Sequence, residues 1–174
     1  ICLLDSDDFF HKDKIIQVSN FFMNNKSYDF VQNLPVIVEN KKKIYKKNSN
    51  NFLSYWPYFA PESCISFKRN FMLRFLKKNK YLNHKFADVW LGFRMGVYAF
   101  FIENTFITLH ENISYYKSYG ESKKYYTLGY NWFNRRKNSF DYLYEISKKN
   151  YKYKLNIDYF ITLIFSKLLN FFRV

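Results

Sequence analysis

Three carboxylates, Asp5, Asp7 and Asp8, stand within four positions directly after the apolar run Ile1–Leu4. Like charges at that density repel, so either water solvates the loop as a turn or a cation sits among the acids. In an extended chain the two-residue period puts Asp5 and Asp7 on one side. Mg²⁺ and Mn²⁺ take hard oxygen ligands of this kind, commonly one or two carboxylates completed by phosphate oxygens and water. The residues therefore point to a divalent-cation site for a nucleotide diphosphate, with Asp7 and Asp5 as the metal ligands. A calcium loop of the EF-hand type is excluded, because its sixth position must be glycine and counting from Asp5 gives Phe10. A phosphatase with an aspartyl nucleophile also sets D-x-D after a buried strand, but Phe9 stands where it usually has a small hydroxyl residue, and this reading ranks lower. Asp8 is assigned to helix capping or support rather than to the metal.

The elements that must position these acids follow from periodicity. Ile1–Leu4 reads as a buried strand delivering acids at its carboxyl end, where ligands gather in open α/β sheets. Ile15, Val18 and Phe22 recur at helical spacing and predict a helix over Lys12–Asn25. Tyr28–Val38 is β-rich but holds Pro35, which suggests an edge strand or a bend. The basic stretch KKKIYKKNSNN, Lys41–Asn51, reads as an exposed hairpin or loop. Pro57 and Pro61 forbid a regular helix; CISF then resumes as a short strand before a helix over Asn70–Lys78. A further helix starts near Asp88, with Trp90, Phe93, Val97 and Phe100 as its buried stripe. Thr105–Leu109 and Ile113–Tyr116 read as short strands, and the chain from Glu121 onward as helical and strongly aromatic. Strands alternating with helices predict an α/β architecture.

Bulk properties narrow the classes. The 174 residues suit about one domain, and a net charge of +14 favours anionic partners such as nucleic acid, acidic lipid or phosphorylated substrates. Lys, Asn, Ile, Phe and Tyr dominate, residues with A/T-rich codons, which discounts the nucleic-acid inference. Cys2 and Cys64 show no pairing pattern and no zinc spacing, as expected in a reducing compartment. The four glycines form no phosphate-cradling loop. No basic segment precedes the opening apolar run, so no signal peptide is read there, and the run suggests a domain that begins upstream.

The segment LDSDDFFHKDKI resembles the D-x-D region of family 2 glycosyltransferases, which have the GT-A fold. Downstream, APESCISFKRNFM is similar to the family's small-residue loop, short strand and basic pair. KFADVWLGFRMGVYA resembles the stretch with the catalytic aspartate at a helix start, and ENISYYKSYGES the strand and loop that carry Arg-x-His-Gly. The resemblance runs from Leu4 to Ser122. It implies a GT-A-like mixed sheet flanked by helices and truncated at its N-terminus over residues 1–120, with a C-terminal helical extension over 121–174. It also implies a metal-dependent, inverting transfer of a sugar from a nucleotide-sugar donor to a hydroxyl of a glycan or lipid-linked acceptor, as in surface polysaccharide synthesis. Asp88 would be the catalytic base, Asp5 and Asp7 would hold Mn²⁺ or Mg²⁺ and the donor, and Lys117 would approach the diphosphate as a point charge. The chain departs from the family in two places. Ala87-Asp88 replaces Glu-Asp, and Lys117-Ser118-Tyr119 replaces Arg-x-His, with His110 near but out of register.

Bland readings stand beside these. On spacing alone Asp88 is better read as a helix N-cap than as a base, a ranking the resemblance reverses. Glu62, Ser63 and Cys64 line the acceptor side or merely turn the chain between prolines. Arg94 orients carboxylates or solvates its helix; His84 and His110 are surface or satisfied core residues. The run LNIDYFITLIFSKLLNFFRV is interrupted by Asp158 and Lys167 and barely reaches spanning length, so the sequence predicts a helix packed on the domain or a dimer partner, or one touching an anionic membrane. That places the protein in the cytoplasm or at the membrane's cytoplasmic face. A catalytically inactive homologue and a basic aromatic nucleic-acid binder are the alternatives. The latter ranks last, because the basic residues are dispersed and no RNA-binding signature is present.

Overall fold

The computed structural model describes residues 1–39, 42–47, 53–117, 129–148 and 152–171. They form an α/β structure with a mixed, open sheet flanked by helices. Five strands, β1 (Phe9–Phe10), β2 (Phe30–Glu39), β3 (Lys42–Tyr45), β4 (Ile65–Phe67) and β5 (Phe106–Lys117), make the sheet. The helices are α1 (Lys14–Asn24), α2 (Arg69–Asn79), α3 (Leu82–Lys85), α4 (Leu91–Val97), α5 (Tyr130–Ile146) and α6 (Ile157–Phe171). Short 3-10 turns cover Glu62–Cys64 and Lys152–Leu155.

Strand β2 is central rather than an edge. It runs parallel to β5 on one side, while the other side pairs antiparallel with β4 at Phe30–Gln32 and with β3 at Val36–Glu39. Pro35, which cannot donate to a ladder, falls where the register with β5 shifts: Asn33 pairs with Leu109, but Pro35 pairs with Ser114. The Asn112 amide donates to the Pro35 carbonyl at 3.2 Å and fixes the bulge. The two short strands expected around it are therefore one strand, β5.

The opening run is not a buried strand. Ile1 and Leu4 are exposed, and the segment contributes a single bridge, Cys2 to Ser66, beside β4. The sheet gains instead β1, whose Phe9 and Phe10 oppose Tyr115 and Ser114. Helix α1 forms where expected, but Ile15 is 55% exposed and Lys14 takes the inward place, with Val18 one turn on. Helix α2 matches its apolar spacing, with Phe71 and Phe75 fully buried. The stripe after Asp88 fails in part: Trp90 and Phe100 are partly exposed, and Met95, Val97 and Ala99 are buried. At Phe100 the cause is a change of pitch. From Tyr98 to Glu103 the helix widens to a π-helical turn, which rotates later side chains off a 3.6-residue stripe, and Asn104 ends it at φ 53°.

Phe30, Phe67, Phe71, Phe75, Phe140 and Tyr142 form the centre of one core, to which α5 contributes Phe140, Tyr142, Leu143 and Ile146. The Tyr142 hydroxyl donates to Asn79 Oδ1 at 2.8 Å, satisfying both buried polar groups. Residues 41 and 48–51 of the expected basic loop, and 121–128, 149–151 and 172–174 of the expected C-terminal extension, lie outside the described residues; Lys42–Tyr45 is strand β3.

Candidate functional site

The acids lie at the carboxyl end of the parallel pair β2–β5. The pairing of β1 with β5 carries the preceding loop to Lys117, whose backbone N–H donates to Asp8 Oδ1 at 2.8 Å. Asp8 is buried and caps no helix, since the cap position of α1 is Asp13. Its other oxygen, Oδ2, is buried without a hydrogen-bond partner. An orphaned carboxylate oxygen in the interior is costly unless a cation or a proton satisfies it.

Asp5 and Asp7 are exposed on the same loop. The Asp5 N–H donates to Ser63 Oγ at 3.0 Å, which ties the loop to the Glu62–Cys64 turn. Desolvation, then repulsion from Glu62, Asp8 and Asp7, raises the Asp5 carboxyl above its ordinary value. Four carboxylates thus share one neighbourhood, in which Glu62, Asp7 and Asp8 disfavour ionisation of Asp5. Among the described residues, no group of three or more His, Cys, Asp or Glu side chains could hold a metal ion. The described residues therefore offer at most a two-carboxylate grip, which fits Mg²⁺ or Mn²⁺ only where phosphate oxygens and water complete the shell.

Beneath the loop sits Lys14, which no motif or spacing singles out. Its side chain is fully buried, with Nζ 2.6 Å from the Ser63 carbonyl oxygen, 2.7 Å from Ser114 Oγ and 4.0 Å from the centre of the Phe10 ring. Burial depresses it to about 8, while Cys64, Cys2 and Asp8 act in the opposite sense. The neighbouring Cys64 thiol is pushed up to about 12 by burial, so it is a packed, protonated thiol and not a nucleophile.

Glu62 joins this corner to the next element. Its Oε1 accepts the Gly92 N–H at 2.8 Å, satisfying one of the orphan donors at the start of α4. Only glycine fits there, because a Cβ at 92 would lie 2.7 Å from Glu62 Cγ. Glu62, Trp90 and Tyr116 also line a groove of about 1000 Å³ walled by Trp56, Tyr58 and Trp132. Asp88 does not cap α4, whose cap position is Trp90; it stands in the preceding turn, exposed, with Oδ2 accepting from the Asn138 amide at 2.6 Å.

The structure thus brings Asp5, Asp7, Asp8 and Lys117 together. Among the described residues Asp88 is not joined to them by any contact: its hydrogen-bond partner is Asn138 on α5, and it does not line the groove that Glu62 and Trp90 share. Arg94 does not solvate its helix: it is buried, donates to Asn83 Oδ1 at 2.8 Å, and leaves Nε without a partner. His84 and His110 are exposed. Ser118 and Tyr119, which bear on the departure from Arg-x-His, lie outside the described residues. Compared with known proteins, the chain matches no family model, no curated sequence and no solved structure.

Proposed function

We propose that the chain is a glycosyltransferase-like protein that binds a nucleotide-sugar donor at the Asp5–Asp7 loop and an acceptor hydroxyl in the adjoining groove. The observation that carries this reading is the carboxylate corner itself. Burial, then repulsion from Glu62, Asp8 and Asp7, raises Asp5, and Asp8 Oδ2 is unpartnered, at the sheet end where ligands of α/β proteins collect. The resemblance of LDSDDFFHKDKI and KFADVWLGFRMGVYA to family 2 glycosyltransferases supplies the reaction class.

Asp7 and Asp5 would hold Mn²⁺ or Mg²⁺, which when bound supplies charge neutralisation to a departing diphosphate. Lys117 adds a point charge at the same strand end. Asp88 takes the proton of the acceptor hydroxyl as its oxygen bonds to the anomeric carbon and the bond to the diphosphate breaks on the opposite face, inverting that centre. Asn138 holds the Asp88 carboxylate by one oxygen and leaves the other to accept.

The test is turnover of a panel of nucleotide sugars with Mn²⁺ or Mg²⁺, by wild type and by Asp88→Asn. The expected result is metal-dependent release of nucleoside diphosphate that falls about 10²–10⁴-fold in the variant. Equal rates in the two proteins would remove Asp88 from the reaction. The second reading, a homologue that binds donor without turning it over, draws on the hydrogen bond that engages Asp88 with α5; saturable donor binding with no turnover in wild type would establish it.

A further inference from the structure

Helix α6 is built inside out. The residues it turns towards α5 are polar: Asp158, Thr162 and Ser166, one turn apart, are all buried. Asp158 pairs with Arg136, and Ser166 Oγ donates to Asn134 Oδ1 at 3.0 Å. The residues it turns outward are apolar: Ile157, Phe160, Ile161, Ile164, Phe165, Leu168 and Phe171 are between 42% and 76% exposed. At about 100° per residue these seven fall within an arc of roughly 140°. A surface helix of a water-soluble domain carries the opposite arrangement, and a contiguous apolar face of this size marks a docking surface.

Charge identifies the occupant. The only acid on α6, Asp158, is buried and paired, so the outward arc bears no negative charge. Lys148, Lys154 and Lys167 lie exposed in or beside this element, and the chain as a whole carries +14. A second copy of the chain would bring the same positive charge to the contact, whereas an anionic bilayer attracts it. No helix among the described residues is long and apolar enough to cross a membrane, so the fitting mode is a helix lying in the interface plane.

We propose that α6 docks the protein on an anionic lipid surface, with Ile157, Phe160, Ile164 and Leu168 buried among the acyl chains and Lys154 and Lys167 at the headgroups. Ile161 belongs both to this arc and to the lining of the large groove, so docking brings the groove's mouth to the bilayer. The proposal does not depend on the donor chemistry.

The experiment is co-sedimentation of the full chain with vesicles of phosphatidylglycerol and phosphatidylcholine, against phosphatidylcholine alone, with no nucleotide present. Wild type should partition onto the anionic vesicles and lose binding in high salt. Phe160→Ser/Ile164→Ser should bind at least about tenfold more weakly with unchanged circular dichroism, since both residues face out of the fold. Absence of binding by wild type, or equal binding by wild type and variant, would overturn the proposal. So would a wild-type dimer in solution that the substitutions convert to monomer, because a second copy would then be the occupant.

Discussion

The Lys14 ammonium lies 2.6 Å from the carbonyl oxygen of Ser63, and both residues are fully buried. One cation therefore ties the helix that follows the acids to the turn that bears Glu62, and through Ser114 to the end of β5. Ser63 in turn accepts from the Asp5 N–H, so the shape of the acidic loop depends on a charge buried below it.

That burial sets a pH dependence. Lys14 is held at about 8, against an unfolded value near 10.4. Below pH 8 the lysine is charged in both states and the cost of burying it is fully present. From pH 8 upward the unfolded chain binds the extra proton, so stability rises with pH. Cys64 works the other way from its ordinary value of 9.0 upward, because its thiol, pushed up to about 12, stays protonated in the folded state while the unfolded one ionises. The urea midpoint should climb between pH 8 and 9 and then level or fall. Lys14→Met should abolish the climb; a wild-type midpoint flat across that unit would contradict a buried ammonium.

Glu62 has separable roles in structure and charge. Glu62→Gln keeps an acceptor for the Gly92 N–H, whereas Glu62→Ala loses it and should cost about 1 kcal/mol in chemical denaturation. Both substitutions remove a repelling charge, so the Asp5 carboxyl should titrate lower than in wild type when followed by NMR. Gly92→Ala would force a Cβ to within 2.7 Å of Glu62 Cγ and 2.8 Å of Ile65 Cδ1. It should cost about 1–3 kcal/mol, and less than that increment when combined with Glu62→Ala.

Arg136 bonds both oxygens of the buried Asp158 carboxylate, with Nε 2.9 Å from Oδ1. Arg136→Met leaves that carboxylate with the Tyr55 N–H, at 2.9 Å, as its remaining strong donor. The expected loss is about 3 kcal/mol, and adding Asp158→Asn should recover part of it, because the penalty is the unpaired charge rather than the missing pair. Equal stability of Arg136→Met and wild type would mean that the pair is open to solvent.

The sequence made α1, α2 and the α/β alternation legible because their apolar spacing is regular and tertiary packing agrees with it. It misled where a long-range partner overrides the local pattern. Pro35 reads as an edge residue until the bulge opposite it in β5 is seen, and the stripe loses Phe100 at a π-helical turn that no spacing announces. The acids were visible as acids. Lys14 was not visible as a buried cation, because a lysine in the first turn of a helix is ordinarily solvated, and its acceptors Ser63 and Ser114 lie 49 and 100 residues away. Glu62 reads in the sequence as an acceptor-side or turn residue, and its hold on the start of α4 is hidden because its contact with Gly92 spans 30 positions.

The most direct measurement is calorimetric titration of Mn²⁺ into the protein with and without a nucleoside diphosphate, for wild type and Asp7→Ala. Asp7 is exposed, so its replacement should change folding stability by no more than about 0.5 kcal/mol. Wild type should bind the ion tightly only when the diphosphate is present, and Asp7→Ala should lose that binding. Equal Mn²⁺ and diphosphate binding by the two proteins, or none by either, would contradict a cation site at Asp5 and Asp7.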